Sequence, residues 1–348
     1  PQAGLLYCRQ KERSVKMEEK IKIAIVGYGN LGKGVEAAVN ASPDMRLTNI
    51  FTRRAPKAVA IRTAGVEVLS AKLLEKAEAQ FEKPDILVVC GGSANDLPWQ
   101  SPKYAGHYNI VDSFDNHAKI HEHFQKVDAA AQKGGRLAVI AAGWDPGLFS
   151  LSRMLAEALL PCGESYTFWG RGISQGHSDA VRSIEGVLDA RQYTIPKEDV
   201  LKKIRTGEIC NALSDRQCHR RECFVVCEDG GNPKKIRRKI LHMPDYFEGY
   251  ETEVHFISQE ELQEKHSKMP HGGMVIRVGK TGGENKAVYD FSLKLDSNPE
   301  FTGAVLTAYA RAAYRLAAEG ESGCRTVFDI PPLLLSPYGQ ESLIKKFL

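Results

Sequence analysis

The sequence has no apolar run approaching the roughly 18 residues that a membrane-spanning helix needs, so no candidate span is expected. It has no block of basic residues interleaved with aromatics. Its formal net charge of +4 over 348 residues is too small to argue for a nucleic-acid partner. The opening stretch, PQAGLLYCRQKERSVKMEEK, has neither an apolar h-region nor a small-residue cleavage site, so it does not read as a secretory signal. It is polar and aperiodic, and residues 1–16 read as an extension outside the fold. Internal repeats, low-complexity tracts and flexible linkers are missing as well. The cysteines are scattered, at Cys8, Cys90, Cys162, Cys210, Cys218, Cys223, Cys227 and Cys324. In a chain of this length that is no disulfide framework, and a reducing, cytoplasmic setting is the expectation. Cys218, Cys223 and Cys227 with His219 match no common zinc spacing. Cys223 and Cys227 fall on one face of the strand-like ECFVVC and read as buried strand cysteines. His117, His121 and His123 crowd into DNHAKIHEHF without a carboxylate to complete a ligand set. They read as solvated or capping residues, and no metal is expected.

What is present is an ordinary globular composition, 43% hydrophobic and 26% charged, in a chain long enough for two domains. Residues 21–26 read as a strand, 31–41 as a helix, 46–52 as a second strand, and the stretch near 71–79 as helix-like. DILVVCGG (85–92), YNIVDS (108–113) and RLAVIAAG (136–143) are short, apolar-rich runs, as parallel strands buried on both faces are. DNHAKIHEHFQKVDAAAQKGG (115–135) reads as a helix closed by two glycines. Such alternation predicts a parallel sheet with helices on both faces. After residue 145 the rhythm changes. PGLFSLSRMLAEALL is a helix with Pro146 near its start. ECFVVCE, ETEVHFIS, GMVIRVG and AVYDFSLKLD alternate as strands of a mixed or antiparallel sheet open on one face. NPEFTGAVLTAYARAAYRLAAEG (298–320) is a long amphipathic helix stopped by Gly320. The expected organisation is a first domain over 17–145, completed by the C-terminal segment 299–348, and a second, mixed α+β domain over 146–298.

The first strand ends in Gly27-Tyr28-Gly29-Asn30-Leu31-Gly32. A G-x-G-x-x-G alone is a weak signal, but here it lies between a strand and a helix inside a β-α-β unit. In that context Gly27 permits the tight turn, Gly29 lets backbone approach a pyrophosphate, and Gly32 lets helix and strand pack closely. The helix N-terminus then offers free N–H groups to the phosphates. The competing reading is a glycine-rich turn with no ligand. The end of the second strand discriminates the dinucleotides. An acid there would bind a ribose 2′-hydroxyl, whereas this chain offers Thr52, Arg53 and Arg54, which suit a 2′-phosphate. NADP is therefore expected over NAD, against the alternative of two solvated arginines in a loop. The fold class is α/β, a Rossmann-type dinucleotide-binding domain joined to a second α+β domain.

GYGNLG, FTRR, VVCGGSANDLPWQSPKYA, VDSFDNH, GWDPG, TFWGRGISQGHSDAVR, MPDYFEGYE, MPHGG and NPEFT follow one another in this order. As a set they closely resemble the meso-diaminopimelate dehydrogenases, from about residue 20 to the end. The resemblance implies NADP-dependent oxidative deamination of the D-centre of meso-2,6-diaminopimelate. The product is L-2-amino-6-oxopimelate, which cyclises to tetrahydrodipicolinate. Run in reverse, this is an aminating step toward lysine and diaminopimelate. It also implies a homodimer built on the second domain. By motif, Tyr28, Asn30 and Leu31 with the turn glycines, Thr52 to Arg54, and Cys90, Gly91, Gly92 and Ser93 match stretches lining NADP. So do Ser113, Phe114 and Asp115, and Ala142, Gly143, Trp144, Asp145 and Pro146. Asp115 and Asp145 match two acids beside the amino-bearing end of the substrate, Trp169 a pocket indole, and Gln175 and Gly176 a backbone cradle for one carboxylate. Thr194, Arg221 and His271 match a clamp for the distal carboxylate, and Asn298 a further polar contact.

These assignments make chemical sense for a substrate with two carboxylates and two ammonium groups. Arg221 can grip a carboxylate bidentately, with Thr194 and His271 adding donors. Hydride departure requires a deprotonated nitrogen, and either Asp115 or Asp145 could accept or relay that proton, directly or through water. Each residue also has a plainer reading. Asp145 and Asp115 could cap the helices that follow them, His271 could be a loop histidine, and Arg221 one of several surface basics in RQCHRRECF. Three other readings compete with the resemblance. They are another NADP oxidoreductase of amino-acid metabolism such as a dihydrodipicolinate reductase-like enzyme, a broader D-amino-acid dehydrogenase, and a non-catalytic NADP sensor.

Overall fold

The apolar runs of the first 145 residues become strands wherever they can be covered on both faces. In the computed structural model, which describes residues 20–76, 80–244 and 246–348, they form β1 (Ile21–Val26), β2 (Met45–Thr52), β3 (Glu67–Ser70), β4 (Ile86–Val89), β5 (Ile110–Asp112) and β6 (Leu137–Val139). Helices α1 (Asn30–Ala41), α2 (Leu97–Ala105) and α3 (Ile120–Gly134) lie between them. The chain leaves through α4 (Leu148–Leu159). It then builds β7 (Cys162–Trp169), β8 (Gly172–Ile173), α5 (Gln175–Arg182), β9 (Val187–Pro196), α6 (Glu198–Arg205) and α7 (Asp215–Cys218). β10 (His219–Cys227), α8 (Pro233–Leu241), β11 (Thr252–Phe256), α9 (Gln259–His266), β12 (His271–Lys280) and β13 (Lys286–Leu295) follow. It returns through α10 (Asn298–Ala318) and β14 (Gly323–Arg325) to end in α11 (Pro332–Leu335) and α12 (Gln340–Phe347).

The returning segment joins the first sheet. The strand order is β14-β6-β5-β4-β1-β2-β3 and every pairing is parallel. Order reverses between β1 and β4, and in such sheets the crevice outside the strand C-termini at that point is where ligands bind. α1 and α10 cover one face, through Val35, Val39, Leu306 and Tyr309. α2 and α3 cover the other, through Leu97, Tyr104, Val127 and Ala131.

Several sequence expectations are refined. The helix-like stretch near 71–79 is a 3-10 turn over Ala71–Glu75; residues 77–79 and the expected extension at 1–16 with Cys8 lie outside the described residues. The run 136–143 pairs only over Leu137–Val139. Beyond it the backbone turns, with Ala141 at φ 53, and Asp112 takes the freed Ala141 N–H. The strands after 145 form two sheets rather than one: β11-β10-β9-β8, with β10 and β11 parallel, and the antiparallel β13-β12-β7. The alternation in each strand reports one covered face but not which sheet it joins. Cys223 is buried and Cys227 half-buried in the core that α8 shares with the four-stranded sheet, as strand cysteines.

α10 can lie against α1 because both helices carry glycine at the crossing. A β-carbon added to Gly303 would sit 2.4 Å from the Gly34 carbonyl carbon and 2.5 Å from the Val35 nitrogen, both backbone atoms that cannot swing away. The helices are further fixed to the first lobe by Arg311, whose guanidinium donates to both oxygens of Asp44 at 2.6 and 2.8 Å. Gly303→Ala should therefore destabilise the protein by about 1–3 kcal/mol, the usual range for overpacking. A thermal midpoint equal to wild type would show that the crossing yields without cost.

Candidate active site

A cavity of about 850 Å³ opens at the strand ends of the seven-stranded sheet and is closed from the other side by the second lobe. From the first lobe come Gly29, Asn30 and Leu31 after β1, Cys90, Gly91, Gly92 and Ser93 after β4, and Ser113 and Asp115 after β5. Gly143, Trp144, Asp145 and Pro146 follow β6. From the second lobe come Trp169 at the end of β7, Gly176 in α5, Thr194 on β9, Arg221 on β10 and His271 at the start of β12, with Asn298 opening α10. The remaining expected residues lie behind or beside this wall. Gly27 shapes the turn at φ 92, Gly32 packs on Gly27, Tyr28 and Ala142 are buried, and Phe114 stacks on His123 with ring centroids 4.0 Å apart. Thr52, Arg53 and Arg54 cluster at the end of β2, outside the cavity lining. For Gln175, which opens α5, only the backbone is described.

The turn after β1 has the features a dinucleotide phosphate requires. Gly29 has nothing within 4 Å of where a β-carbon would stand, so the backbone is open to a ligand. A β-carbon at Gly32 would lie 2.4 Å from the Gly27 carbonyl oxygen, so only glycine allows this approach of helix and strand. No side chain caps the N-terminus of α1 and no acid sits in its first turn, which leaves its N–H groups and positive dipole end for an anion. At the end of β2, Arg54 donates to the Tyr28 carbonyl and Arg53 makes a bidentate pair with Asp96 at 2.7 and 2.9 Å. Most of the Arg53 side chain is nonetheless exposed.

Asp145 is fixed on both oxygens. Arg153 of α4 donates to Oδ1 at 2.7 Å and the Trp169 indole N–H donates to Oδ2 at 2.6 Å, with the carboxylate nearly buried. It does not cap the following helix, whose N-cap is Gly147. Asp115 is exposed to the cavity, and its backbone N–H donates to Ser93 Oγ at 2.8 Å. The adjoining 3-10 turn begins at Asn116 without a side-chain cap, so Asp115 caps nothing either. Behind both acids lies Asp112, wholly buried at the end of β5. Its Oδ1 accepts the N–H groups of Phe114 and Ala141, each at 3.0 Å, and its Oδ2 accepts from Ser101 and meets His123 Nε2 at 2.8 Å. His123 is thus neither solvated nor capping, because α3 turns its ring into the sheet end. His117 lines the cavity instead.

Across the cavity, Arg221 is only 8% exposed, so it is not a surface basic. It donates to Thr194 Oγ1, its cross-strand neighbour, and its guanidinium carbon stands 4.2 Å from the centre of the Tyr250 ring. Its Nε has no hydrogen-bond acceptor, and among the described residues no carboxylate forms an ion pair with it. A nearly buried cation left this way costs stability unless an anion from outside completes it. His271 Nδ1 stands 2.9 Å from the Gly272 N–H and 3.1 Å from the Gly272 carbonyl oxygen, and burial lowers the pKa of the ring, so it is a neutral imidazole at the cavity wall. Asn298 accepts the Trp144 indole N–H at 2.9 Å. Burial pushes the Cys90 thiol up, which makes it an inert part of the lining.

Several contributors went unread in the sequence. His219, considered there only as a metal ligand, accepts the Trp169 N–H on Nε2 at 3.0 Å and contacts the Asp215 carbonyl through Nδ1 at 3.1 Å. His177, Asp215, Tyr250 and Met269 also line the cavity. No periodicity marks them; His177, Tyr250 and Met269 lie in the motifs quoted above, but nothing in the sequence assigned them a role.

A doubly wound dinucleotide-binding lobe, closed by a second lobe over a strand-end cavity with Asp115 and Asp145 at the strand ends and a guanidinium from the second lobe without an ion pair among the described residues, defines a two-domain pyridine-nucleotide dehydrogenase architecture. Residues 143–297 match the family described as Diaminopimelic acid dehydrogenase C-terminal domain. The chain is 54% identical over 329 residues to the meso-diaminopimelate D-dehydrogenase of Ureibacillus thermosphaericus, covering 94% of this chain and 99% of that one. The Corynebacterium glutamicum DAP dehydrogenase in complex with DAP superimposes with a TM-score of 0.85 at 44% identity, covering 94% and 99% of the two chains. An engineered D-amino acid dehydrogenase bound to NADP+ gives 0.80 at 42% identity, covering 94% and 100%. The chain belongs to the diaminopimelate dehydrogenase family.

Burial pushes His177 down to about 4, with the charge of Arg221 adding to it, and pushes His219 down to about 4 as well. Unfolding returns each to its ordinary value near 6.5, so between pH 6.5 and 4 the unfolded chain binds more protons. Stability is full above that window and falls as pH drops through it, by on the order of 3 kcal/mol per histidine. The urea midpoint should fall between pH 7 and pH 5, and His219→Asn should flatten the slope. An unchanged slope in that variant would remove His219 from this account.

Proposed function

We propose that the chain oxidises the D-configured, amino-bearing carbon of meso-2,6-diaminopimelate with NADP, reversibly, to give L-2-amino-6-oxopimelate and ammonia. It is thus an oxidoreductase acting on a CH–NH2 group. The observation that carries this reading is Arg221, nearly buried and without an anionic partner among the described residues, on the wall opposite Asp115 and Asp145. A molecule with an amino group at one end and a carboxylate at the other satisfies both walls at once. The named relatives and the DAP-bound neighbour support the substrate, and the NADP+-bound neighbour supports the cofactor.

Bound NADP supplies the hydride acceptor. The free N–H groups at the start of α1 and the open Gly29 would hold its pyrophosphate, and Thr52, Arg53 and Arg54 its 2′-phosphate. Asn30, Leu31, Cys90 to Ser93, Ser113 and Gly143 to Pro146 would line its path. Asp145, with both oxygens engaged, orients the ammonium and stabilises positive charge on nitrogen. Asp115 is open to the cavity and takes up the proton that nitrogen must lose before the carbon can release hydride. Trp169, held by His219 and Asp145, shapes the reacting end, with the α5 backbone at Gln175 and Gly176 cradling its carboxylate. Arg221, Thr194 and His271 hold the distal carboxylate and Asn298 borders it. On this reading residues 17–145 with 299–348 serve the nucleotide, and 146–298 serve the substrate and a homodimer contact. Exposed Met154, Leu155 and Leu159 on α4, and exposed Phe328, which shares a surface groove with Met154, support that contact. No helix among the described residues is long and apolar enough to cross a membrane.

The test is NADPH formation with meso-diaminopimelate at alkaline pH, repeated with Arg221→Ala. The variant should lose roughly 2–4 kcal/mol in kcat/KM on that substrate, the value of a charge-assisted bidentate contact. D-Alanine is too short to reach Arg221, and its slow turnover should barely change. Equal losses on both substrates would return Arg221 to a structural role.

A further inference from the structure

The two arginines at the end of β2 are held in different ways. Arg54 donates to the Tyr28 carbonyl, a backbone group of the glycine turn. Arg53 is held by a charged partner on another element, donating through Nη1 and Nη2 to the two oxygens of Asp96 at 2.7 and 2.9 Å. Asp96 stands immediately before α2, past the turn that follows β4. In the sheet, β1 lies between β4 and β2. The Arg53–Asp96 pair therefore joins the segments on the two sides of the strand that carries the glycine turn.

The partners are unequal. The Arg53 side chain is 63% exposed and that of Asp96 only 15%. Asp96 is also fixed by more than its ion pair. Its Oδ2 accepts the Gly92 N–H at 3.2 Å, and its β-carbon lies so close to Gly91 that a β-carbon added to that glycine would stand 2.7 Å away. Its side chain does not cap α2. The acid is thus the anchored member and the arginine the member that is placed. An ion pair with one exposed partner adds little to stability. What it supplies is orientation, because a free arginine spreads over many rotamers and loses that freedom when it meets an anion. Pairing through both terminal nitrogens leaves Nε–H and one N–H on each terminal nitrogen for a second acceptor.

We propose that Asp96 is a positioning residue for the cofactor: it holds Arg53 ready for the 2′-phosphate and so contributes to the choice of NADP over NAD. The assignment rests on the functional reading above and deepens it at one end of the nucleotide site. Set against the phosphate itself, Asp96 would repel it. Set behind the guanidinium, it orients the cation while screening only part of its charge. A dinucleotide without the 2′-phosphate gains nothing from this arrangement, so the effect falls on NADP.

The experiment measures binding of NADPH and of NADH to the full chain by fluorescence titration, in wild type, Asp96→Asn, Arg53→Ala and the double variant. Wild type should bind NADPH more tightly. Asp96→Asn keeps the side-chain shape and an acceptor for the Gly92 N–H but loses the bidentate pair. Its preference for NADPH over NADH should fall by about tenfold, the order of one oriented charge-assisted contact. NADH binding reports that the nucleotide lobe of each variant is folded, and Asp96→Ser gives the same comparison where the Asn variant does not fold. In the Arg53→Ala background, Asp96→Asn should leave the ratio where it is, since an acid that acts through Arg53 has nothing left to place. A ratio unmoved or raised by Asp96→Asn, with wild type preferring NADPH, would overturn the Asp96 assignment alone. An equal loss with and without Arg53 would overturn it too, because Asp96 would then act by another route. A wild type that binds both nucleotides equally would overturn the NADP reading, and the assignment with it.

Discussion

The carboxylate of Asp145 ties the two lobes into one site. It leaves the nucleotide sheet at the end of β6, yet its partners are Arg153 on α4 and the indole of Trp169 on β7. Each bond shares a charge in a place nearly shut off from water, where such bonds are short and strong. Trp169 is then fixed from behind by His219, whose ring it also stacks against, with centroids 5.5 Å apart. His219 begins the strand that carries Arg221. One run of contacts therefore sets the position of an acid, an indole and a guanidinium relative to the strand ends. If Asp145 were free to turn, neither wall of the cavity would hold a defined distance from the other.

Burial also decides which groups carry charge. His177, His219 and His271 all lose basicity because burial penalises the imidazolium, and two of them also feel Arg221. To the cavity lining the second lobe thus contributes the Arg221 guanidinium among neutral imidazoles, together with Asp215. The first lobe presents fixed negative groups. Field lines between them run along the cavity, and a zwitterionic chain aligns with them. Asp112 contributes in another way. Its four hydrogen bonds hold the loops after β5 and β6, including the left-handed Ala141, so Asp115 and Asp145 approach the cavity from a rigid base.

The parallel sheet was legible in the sequence because its strands are apolar on both faces and its turn glycines each meet a definite steric demand. Gly32 and Gly29 are examples, one crowded by Gly27 and one open. The long helix at 298–318 was legible from periodicity, and its seat against α1 at Gly34 and Gly303 was not, since close approach depends on a partner 269 residues away in sequence. The two sheets of the second lobe could not be separated, because alternation tells which face of β10 or β12 is covered but not which strand lies beside it. Of the candidate site, most of the residues grouped in motifs lie at the cavity or the turn that borders it. Asp112, Arg153 and Asp215 were given no role from the sequence, and His219 was weighed only as a metal ligand. Their importance lies in what they touch across the fold, and a lone Asp or His carries no local mark of that.

The central claim is that the cavity orients an amino-acid chain by its distal charges so that only the D-configured carbon meets the nicotinamide. The direct measurement uses meso-diaminopimelate carrying deuterium at one α-carbon, followed by mass analysis of the reduced cofactor. Label at the D-centre should appear in NADPH, one deuterium per turnover, and label at the L-centre should stay in the product. Deuterium passing from the L-centre, or none passing from the D-centre, would contradict the orientation derived from Asp115, Asp145 and Arg221.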